Sequence, residues 1–360
     1  MKPVWHVRAY NKGDENGIFE LWKSVHMKSP DVEEWMSWWN WKYLKNPVDT
    51  TRIWLADHNG KIVGFYPAIP IKMKIKGEII TGSQIVDLMV HPDYRRQGIF
   101  LKLSQKALSE LGKNAVHITY GFPNAGAYGG HLQSGWFDVC PMQTMIKPMR
   151  TKRMLEKYIA NRFLLKLSDV IVTMILKSFY RTKKPPKLPG VTIKKISGFD
   201  NSINTFWEKI SYDYEILVVR NKQYLTWRYV DQPNADYSIY VAEEDGEICG
   251  YVVLGLKEQR DLLFGYIVDI VVPLDKSNVL HHLVSKAIEE LKEKNVDLIF
   301  CQMISNRRFY KIFKRNGFIY SRNISRRFPF IVHMNSNNFS QEYVKDYKHW
   351  FVQQGDSDNV

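Results

Sequence analysis

The chain repeats itself. Trp41-Lys42-Tyr43 returns as Trp227-Arg228-Tyr229, and residues 56–65 return at the same offset as residues 242–251. Both of the latter blocks hold a tight-turn pair, Asn59-Gly60 and Asp245-Gly246, in which positive φ at both positions would close a two-residue hairpin. Residues 85–90 then match 267–272. Helical spacing follows in each copy: Leu103, Ala107, Leu108 and Leu111 in the first, and Leu283, Val284, Ala287, Ile288 and Leu291 in the second. Strand-like runs at 116–120 and 296–300 come next, and Gly135-Trp136 and Gly317-Phe318 close the copies. One shared block could be chance, but an unbroken order of blocks marks a duplicated unit.

That order limits the fold. Each copy reads as helices, a meander of antiparallel strands, one long strand, a helix, a further strand, and a short helix before a final strand. The fold class is α/β with an α+β mixed sheet, mostly antiparallel and flanked by helices, rather than a doubly wound parallel sheet. With 360 residues, 45% of them hydrophobic, the chain can fill two cores. The boundaries expected are 1–149 for the first domain, 150–190 for a helical connector and Pro-rich linker, 191–333 for the second domain, and 334–360 for a C-terminal tail.

A net charge of +14 invites a nucleic-acid reading, but its distribution argues against one. Between Arg150 and Lys187 lie eleven Lys and Arg residues, opposed only by Glu156 and Asp169. The excess is local, and no nucleic-acid partner is expected. Met1-Lys2-Pro3-Val4-Trp5-His6 lacks the apolar core of a signal peptide, and no apolar run is long enough to span a bilayer. Cys140, Cys249 and Cys301 are too few and too scattered for a disulfide framework or a metal site, so a reducing cytoplasm and no metal are expected.

One loop carries chemistry. After the strand ending at Val90 comes His91-Pro92-Asp93-Tyr94-Arg95-Arg96-Gln97-Gly98-Ile99-Phe100, which feeds a helix. A helix N-terminus leaves backbone N–H groups unpaired and adds partial positive charge. Gly98 lets a ligand approach the backbone, and Arg95 and Arg96 add full charges. Together these make a seat for a pyrophosphate.

On these residues the chain resembles the GNAT N-acetyltransferase superfamily, and its plan is that of a tandem GNAT protein with a degenerate second domain. The superfamily's acyl-CoA signature is Arg or Gln, two residues, Gly, one residue, then Gly or Ala; Arg95, Gly98 and Phe100 fall on its key positions, Phe100 departing from the small residue. The resemblance implies acetyl-CoA, or another acyl-CoA, as co-substrate. It also implies binding by Arg95, Arg96, Gln97, Gly98, Ile99 and Phe100, with pantetheine along the strand of Leu88, Met89 and Val90 and close to Asn124. The second copy has Pro273-Leu274-Asp275-Lys276-Ser277-Asn278 in place of the loop, with no glycine and no arginine. One cofactor per chain is expected.

Transfer to an amine needs a base for the amine and an acid for the leaving thiolate. The family's tyrosine acid falls here on His131, so Tyr128, one helical turn earlier, is the candidate acid; Tyr310 at the same place in the second copy gives it an equal reading as a core residue. His131 reads as a proton shuttle or as a surface histidine. Asp87 recurs as Asp269, which favours a structural role, and His91 reads as a turn residue. In the tail, Tyr343, Tyr347, Trp350 and Phe351 suggest ordered packing, after which Asp356 or Asp358 could reach an amine; frayed chain is the alternative. Trp35, Trp38, Trp39, Trp41 and Tyr43 follow an Asp31 helix cap and read as core, or as a platform for a sugar ring.

The connector's apolar residues, among them Phe163, Leu164, Leu167, Val170, Ile171 and Met174, have helical spacing. Either they pack on both domains or a basic amphipathic helix in 150–187 meets an anionic membrane. The function expected is acyl-CoA-dependent N-acylation of a small-molecule primary amine, such as an amino sugar of a surface polysaccharide precursor, by direct transfer in a ternary complex. The expected location is the cytoplasm, at the inner face of the membrane if the connector meets lipid. The tandem plan also resembles the Fem-type peptidyl transferases, which use aminoacyl-tRNA and lack a working CoA loop. A non-catalytic acyl-CoA-binding module is the third reading.

Overall fold

The computed structural model describes residues 5–156, 159, 161–179, 184–304 and 306–357. In the first copy β1 (His6–Ala9), α1 (Glu15–His26) and α2 (Val32–Trp39) lead into the meander β2 (Arg52–His58), β3 (Lys61–Ile75) and β4 (Glu78–Ile85). Then come β5 (Met89–Val90), α3 (Ile99–Lys113), β6 (Ile118–Gly121), α4 (Ala125–Gln133), β7 (Phe137–Pro141) and β8 (Gln143–Pro148). The connector holds α5 (Thr151–Leu155) and α6 (Arg162–Phe179). The second copy supplies β9 (Val191–Ile196), α7 (Ser202–Ile210), β10 (Ile216–Val218), α8 (Lys222–Tyr229), β11 (Ser238–Glu244), β12 (Glu247–Gln259) and β13 (Leu262–Val271). It continues with α9 (Ser277–Glu293), β14 (Leu298–Met303), α10 (Arg307–Arg315), β15 (Ile319–Tyr320), α11 (Arg322–Ser325) and β16 (Pro329–Met334). Last are α12 (Gln341–Lys345) and β17 (Trp350–Phe351).

The chain forms two mixed sheets flanked by helices, as the repeat demands. The paired turns form as their sequences require: Asn59 and Gly60 have φ of 51° and 83°, and Asp245 and Gly246 have 52° and 82°. Gly64 explains another shared position. A Cβ there would lie 2.7 Å from Ile99 Cγ2 and 2.9 Å from Leu103 Cδ1, so glycine lets α3 pack close on the sheet. Gly250, its counterpart, faces Val272 and Leu283 in the same way.

The final strands are exchanged between the copies. β16, from the second copy, lies antiparallel between β6 and β7 of the first sheet. β8, from the first copy, lies antiparallel between β14 and β15 of the second. The sequence pattern shows that each copy closes with a strand but not which sheet receives it. Two more strands from the second half add to the first sheet: β10 pairs antiparallel with β3, and β17 pairs parallel with β10. Buried apolar residues from both copies consequently merge into one large cluster, with a smaller one beneath α3.

Candidate active site

β4 and β6 run parallel from Gly82 and Ile118 to their last paired residues, Ile85 and Gly121. There the strands part. Val86, Asp87 and Leu88 leave the ladder, and Met89 and Val90 turn to pair with Phe65 and Gly64 of β3. Asp87 makes this bend with φ of 44°, held by the Lys42 ammonium and the Tyr43 hydroxyl, both 2.5 Å from its Oδ2. Asp269, its repeat partner, is held by Arg220 and Tyr251. Both aspartates thus serve the fold.

At the far end of this opening lies the basic loop. Gly98 caps α3 with φ of 83°, and a Cβ there would meet nothing within 4 Å, so the helix end is open to a ligand. Among the described residues, no carbonyl accepts from the backbone N–H groups of residues 96–100. Arg96 also takes positive φ, 60°, which turns successive amides into a concave nest. Arg95 is exposed and anchored by Nε to the Val90 carbonyl at 3.3 Å; Gln97 is tied to the Asp93 carbonyl. Ile99 is buried under the sheet. Phe100 finds its space where Gly130 lacks a Cβ, and it sits edge-on to His131 with ring centroids 5.1 Å apart. Its bulk is absorbed between α3 and α4. Asn124 caps α4 through its Oδ1, accepting from the Gly126 and Ala127 amides. His91 accepts from the Asp93 amide at 3.3 Å, as a turn residue does.

On α4, the Tyr128 hydroxyl donates to Asp138 at 2.5 Å, and this bond, with burial, raises its pKa and keeps the phenol protonated. His131 is buried, not at the surface. Desolvation lowers its pKa to about 4, so the ring is neutral, and its Nδ1 has no partner among the described residues. Tyr66, Phe100 and Trp136 surround it. Of the aromatic group, Trp35 and Trp39 are core, while Trp38 and Trp41 reach an interdomain cavity of about 60 Å³. Lys42, Gln84, Trp227 and Ser357 also line it. Gln84 is buried, and its Nε2 has no partner among the described residues.

In the second domain the equivalent opening is filled by the chain itself. β13 and β14 pair in parallel until Ile267 and Cys301. Beyond, Gln353 bridges to Met303 through its backbone. Its side-chain amide accepts from Ile270 N at 2.9 Å and donates to Ile270 O at 2.6 Å. The start of the helix is also altered: Arg308, reaching from α10, bonds Ser277 at the start of α9 and the Val272 carbonyl. Sequence shows the missing glycine and arginines but not these occupants.

The segment that plugs this opening continues to the first domain. It is a short helix, one 3-10 turn and β17, then a buried turn at Gln354–Asp356. Asp356 is fully buried and bonds Arg220 Nη2 at 2.7 Å and Gln353 N at 2.8 Å. Burial raises its pKa and Arg220 opposes that rise. Arg228 holds the Gly355 and Ser357 carbonyls, and the Tyr120 hydroxyl donates to the Asp356 carbonyl at 3.1 Å. Tyr120 is the register partner of Gln84, one residue before the strands part. Asp356 therefore anchors the segment beside the opening rather than presenting a free carboxylate. Asp358 lies outside the described residues. Arg220, Arg228, Tyr120 and Gln84 are not expected from sequence. Only Arg228 carries a signal, as the counterpart of Lys42 between two aromatics. Among the described residues, no group of three or more His, Cys, Asp or Glu is arranged to hold a metal ion.

Residues 6–136 match a family model described as an acetyltransferase (GNAT) domain. Among solved structures, a GCN5-related N-acetyltransferase from Anabaena variabilis aligns with a TM-score of 0.62 at 11% identity, over 92% of this chain and 73% of that one. N-myristoyltransferase from Saccharomyces cerevisiae, solved with bound myristoyl-CoA, aligns at 0.57 and 15% identity, over 93% and 84%. A tandem GNAT protein from the clavulanic acid biosynthesis pathway aligns at 0.56 and 13% identity, over 93% of this chain and 100% of that one. At these identities the likeness is one of fold. No curated protein matches the sequence.

Proposed function

We propose, because residues 6–136 match a GNAT acetyltransferase domain model and the fold is similar to that of a tandem GNAT protein, that this chain transfers an acyl group, acetyl in the simplest case, from CoA to a primary amine. The observation that carries this reading is the single open cradle: five unbonded backbone amides and an open Gly98 at the N-terminus of α3, beside Arg95 and Arg96. Pyrophosphate docks there, and the pantetheine amides bond to the main chain of 86–90 where β4 and β6 have parted. The thioester then lies near Ile85 and Gly121, facing the cavity of Gln84 and Trp38. That cavity holds the acyl group, with the Gln84 amide free to donate.

The reaction is direct. The amine nitrogen attacks the thioester carbon, the carbon–sulfur bond breaks, and the amine proton passes to a carboxylate. Asp358 is the base we favour, since Arg228 and Arg220 hold residues 355–357, its immediate neighbours in the chain, beside the opening. Tyr128 is the candidate proton donor to the thiolate, because its bond to Asp138 keeps it in the acid form. His131, neutral and buried, supports α4. An amino sugar of a surface polysaccharide precursor is the acceptor proposed, handled by a protein peripheral to the inner face of the membrane. The Fem-type and non-catalytic readings gain no observation of their own.

Calorimetric titration with acetyl-CoA tests the cradle; one site per chain is expected, and no heat with any acyl-CoA would end the catalytic reading. Deleting residues 358–360 from a chain that still binds acetyl-CoA is expected to reduce kcat at least tenfold. Unchanged kcat would remove Asp358 from the mechanism.

A further inference from the structure

α6 turns its apolar face outward. Phe163 and Met174 are 74% and 64% exposed, and Leu164, Leu167, Val170 and Ile171 are each about half exposed. At about 100° per residue these six side chains fall within an arc of roughly 120°. Leu165, on the opposite side, is the buried contact. This contradicts packing of the stripe between the two domains, the bland expectation for the connector. Large apolar side chains gathered on one exposed face mark an interaction surface.

Its mounting is firm. Thr151 of α5 donates to Asp169 of α6, and Arg150 and Arg153 pair with the buried Asp297 at 2.9 and 3.4 Å. Arg153 also bonds the Asp261 carbonyl. The exposed Lys166 borders one edge of the apolar arc and the exposed Arg162 lies further round on the same side, and the exposed Lys152, Lys184 and Lys187 lie on the chain to either side. Lys157, Arg181 and Lys183 fall outside the described residues.

We propose that α6 docks flat on an anionic lipid bilayer, its apolar face set into the acyl boundary and the flanking cations at the headgroups. No helix among the described residues is long and apolar enough to cross a membrane, which agrees with an in-plane position. Charge complementarity selects the lipid over a second copy of the chain, since two such faces would bring like cations together. Lipid binding by this face does not depend on the identity of the acyl acceptor.

Co-sedimentation of the full chain with vesicles provides the test. Phosphatidylcholine containing about one third phosphatidylglycerol should pull the protein down, and phosphatidylcholine alone should not. Each cation removed is expected to weaken binding by about fivefold. Leu167→Glu with Met174→Glu should abolish sedimentation while leaving the thermal shift with acetyl-CoA intact, so a failed cofactor site and a failed lipid face are told apart. Three results would overturn the proposal: no sedimentation with anionic vesicles, equal sedimentation with neutral ones, or a dimer by light scattering that the same pair of substitutions returns to a monomer.

Discussion

Trp41 and Trp227, the same position in the two repeats, stack on each other with ring centroids 5.2 Å apart, and each donates its indole N–H to the other's backbone carbonyl, at 2.7 and 3.0 Å. Reciprocal contacts of this kind are what a two-fold relation between like units produces. Here the relation is internal to one chain.

Because the two indoles share one contact, their removal cannot be additive. Trp41→Ala and Trp227→Ala should each cost about 3–5 kcal/mol in urea unfolding. The double variant should fall short of their sum by about 1 kcal/mol or more. Additivity within about 0.5 kcal/mol would show that the stack contributes nothing beyond burial.

The segment that plugs the second domain depends on Gly355. A Cβ there would lie 2.0 Å from Tyr229 Oη and 3.3 Å from the Val268 carbonyl. Gly355→Ala should therefore destabilise by about 1–3 kcal/mol and lower kcat by displacing Asp356 and the chain beyond it. Tyr229→Phe in the same chain removes the closest clash and should restore part of both. Failure of this rescue would place the strain elsewhere.

Acid stability should report His131. Its folded pKa, about 4, lies below the ordinary 6.5. As pH falls the unfolded chain binds this proton first, so stability is undiminished above about pH 6.5 and declines toward about pH 4, by about 3 kcal/mol. His131→Phe, an aromatic among Phe100, Tyr66 and Trp136, should flatten that decline in melts across the window. A wild-type slope retained in the variant would assign the acid sensitivity to other groups.

Gly98 separates charge from backbone strain. Its φ of 83° makes Gly98→Ala costly by about 1 kcal/mol although nothing obstructs the methyl group. Gly98→Asp carries the same strain and adds a negative charge at the proposed phosphate seat. Alanine should weaken acetyl-CoA binding modestly and aspartate should abolish the thermal shift. Equal losses from both would mean that conformation, not charge, governs the seat.

How much of the molecule is legible in its sequence depends on the range of the forces involved. The turns at Asn59-Gly60 and Asp245-Gly246 and the open, positive-φ start of α3 at Gly98 are local, and residue type reveals them. The exchange of β8 and β16 is not local, because an alternating strand fits either sheet edge equally well. Gln353 illustrates the same limit, since nothing in its neighbourhood tells that its amide will bond Ile270. Asp356 reads from sequence as a carboxylate that could reach an amine; the partner the sequence does not disclose is Arg220, which captures it from far along the chain.

The traded strands have a consequence for how such a molecule can change. Each half holds the strand next to the edge of its sibling's sheet, so neither can be discarded, swapped for a foreign module or expressed by itself without leaving a gap beside an otherwise intact ladder. The second copy, whose loop at 273–278 lacks glycine and arginine, is thereby kept as an indispensable lodger, bound to its twin by architecture.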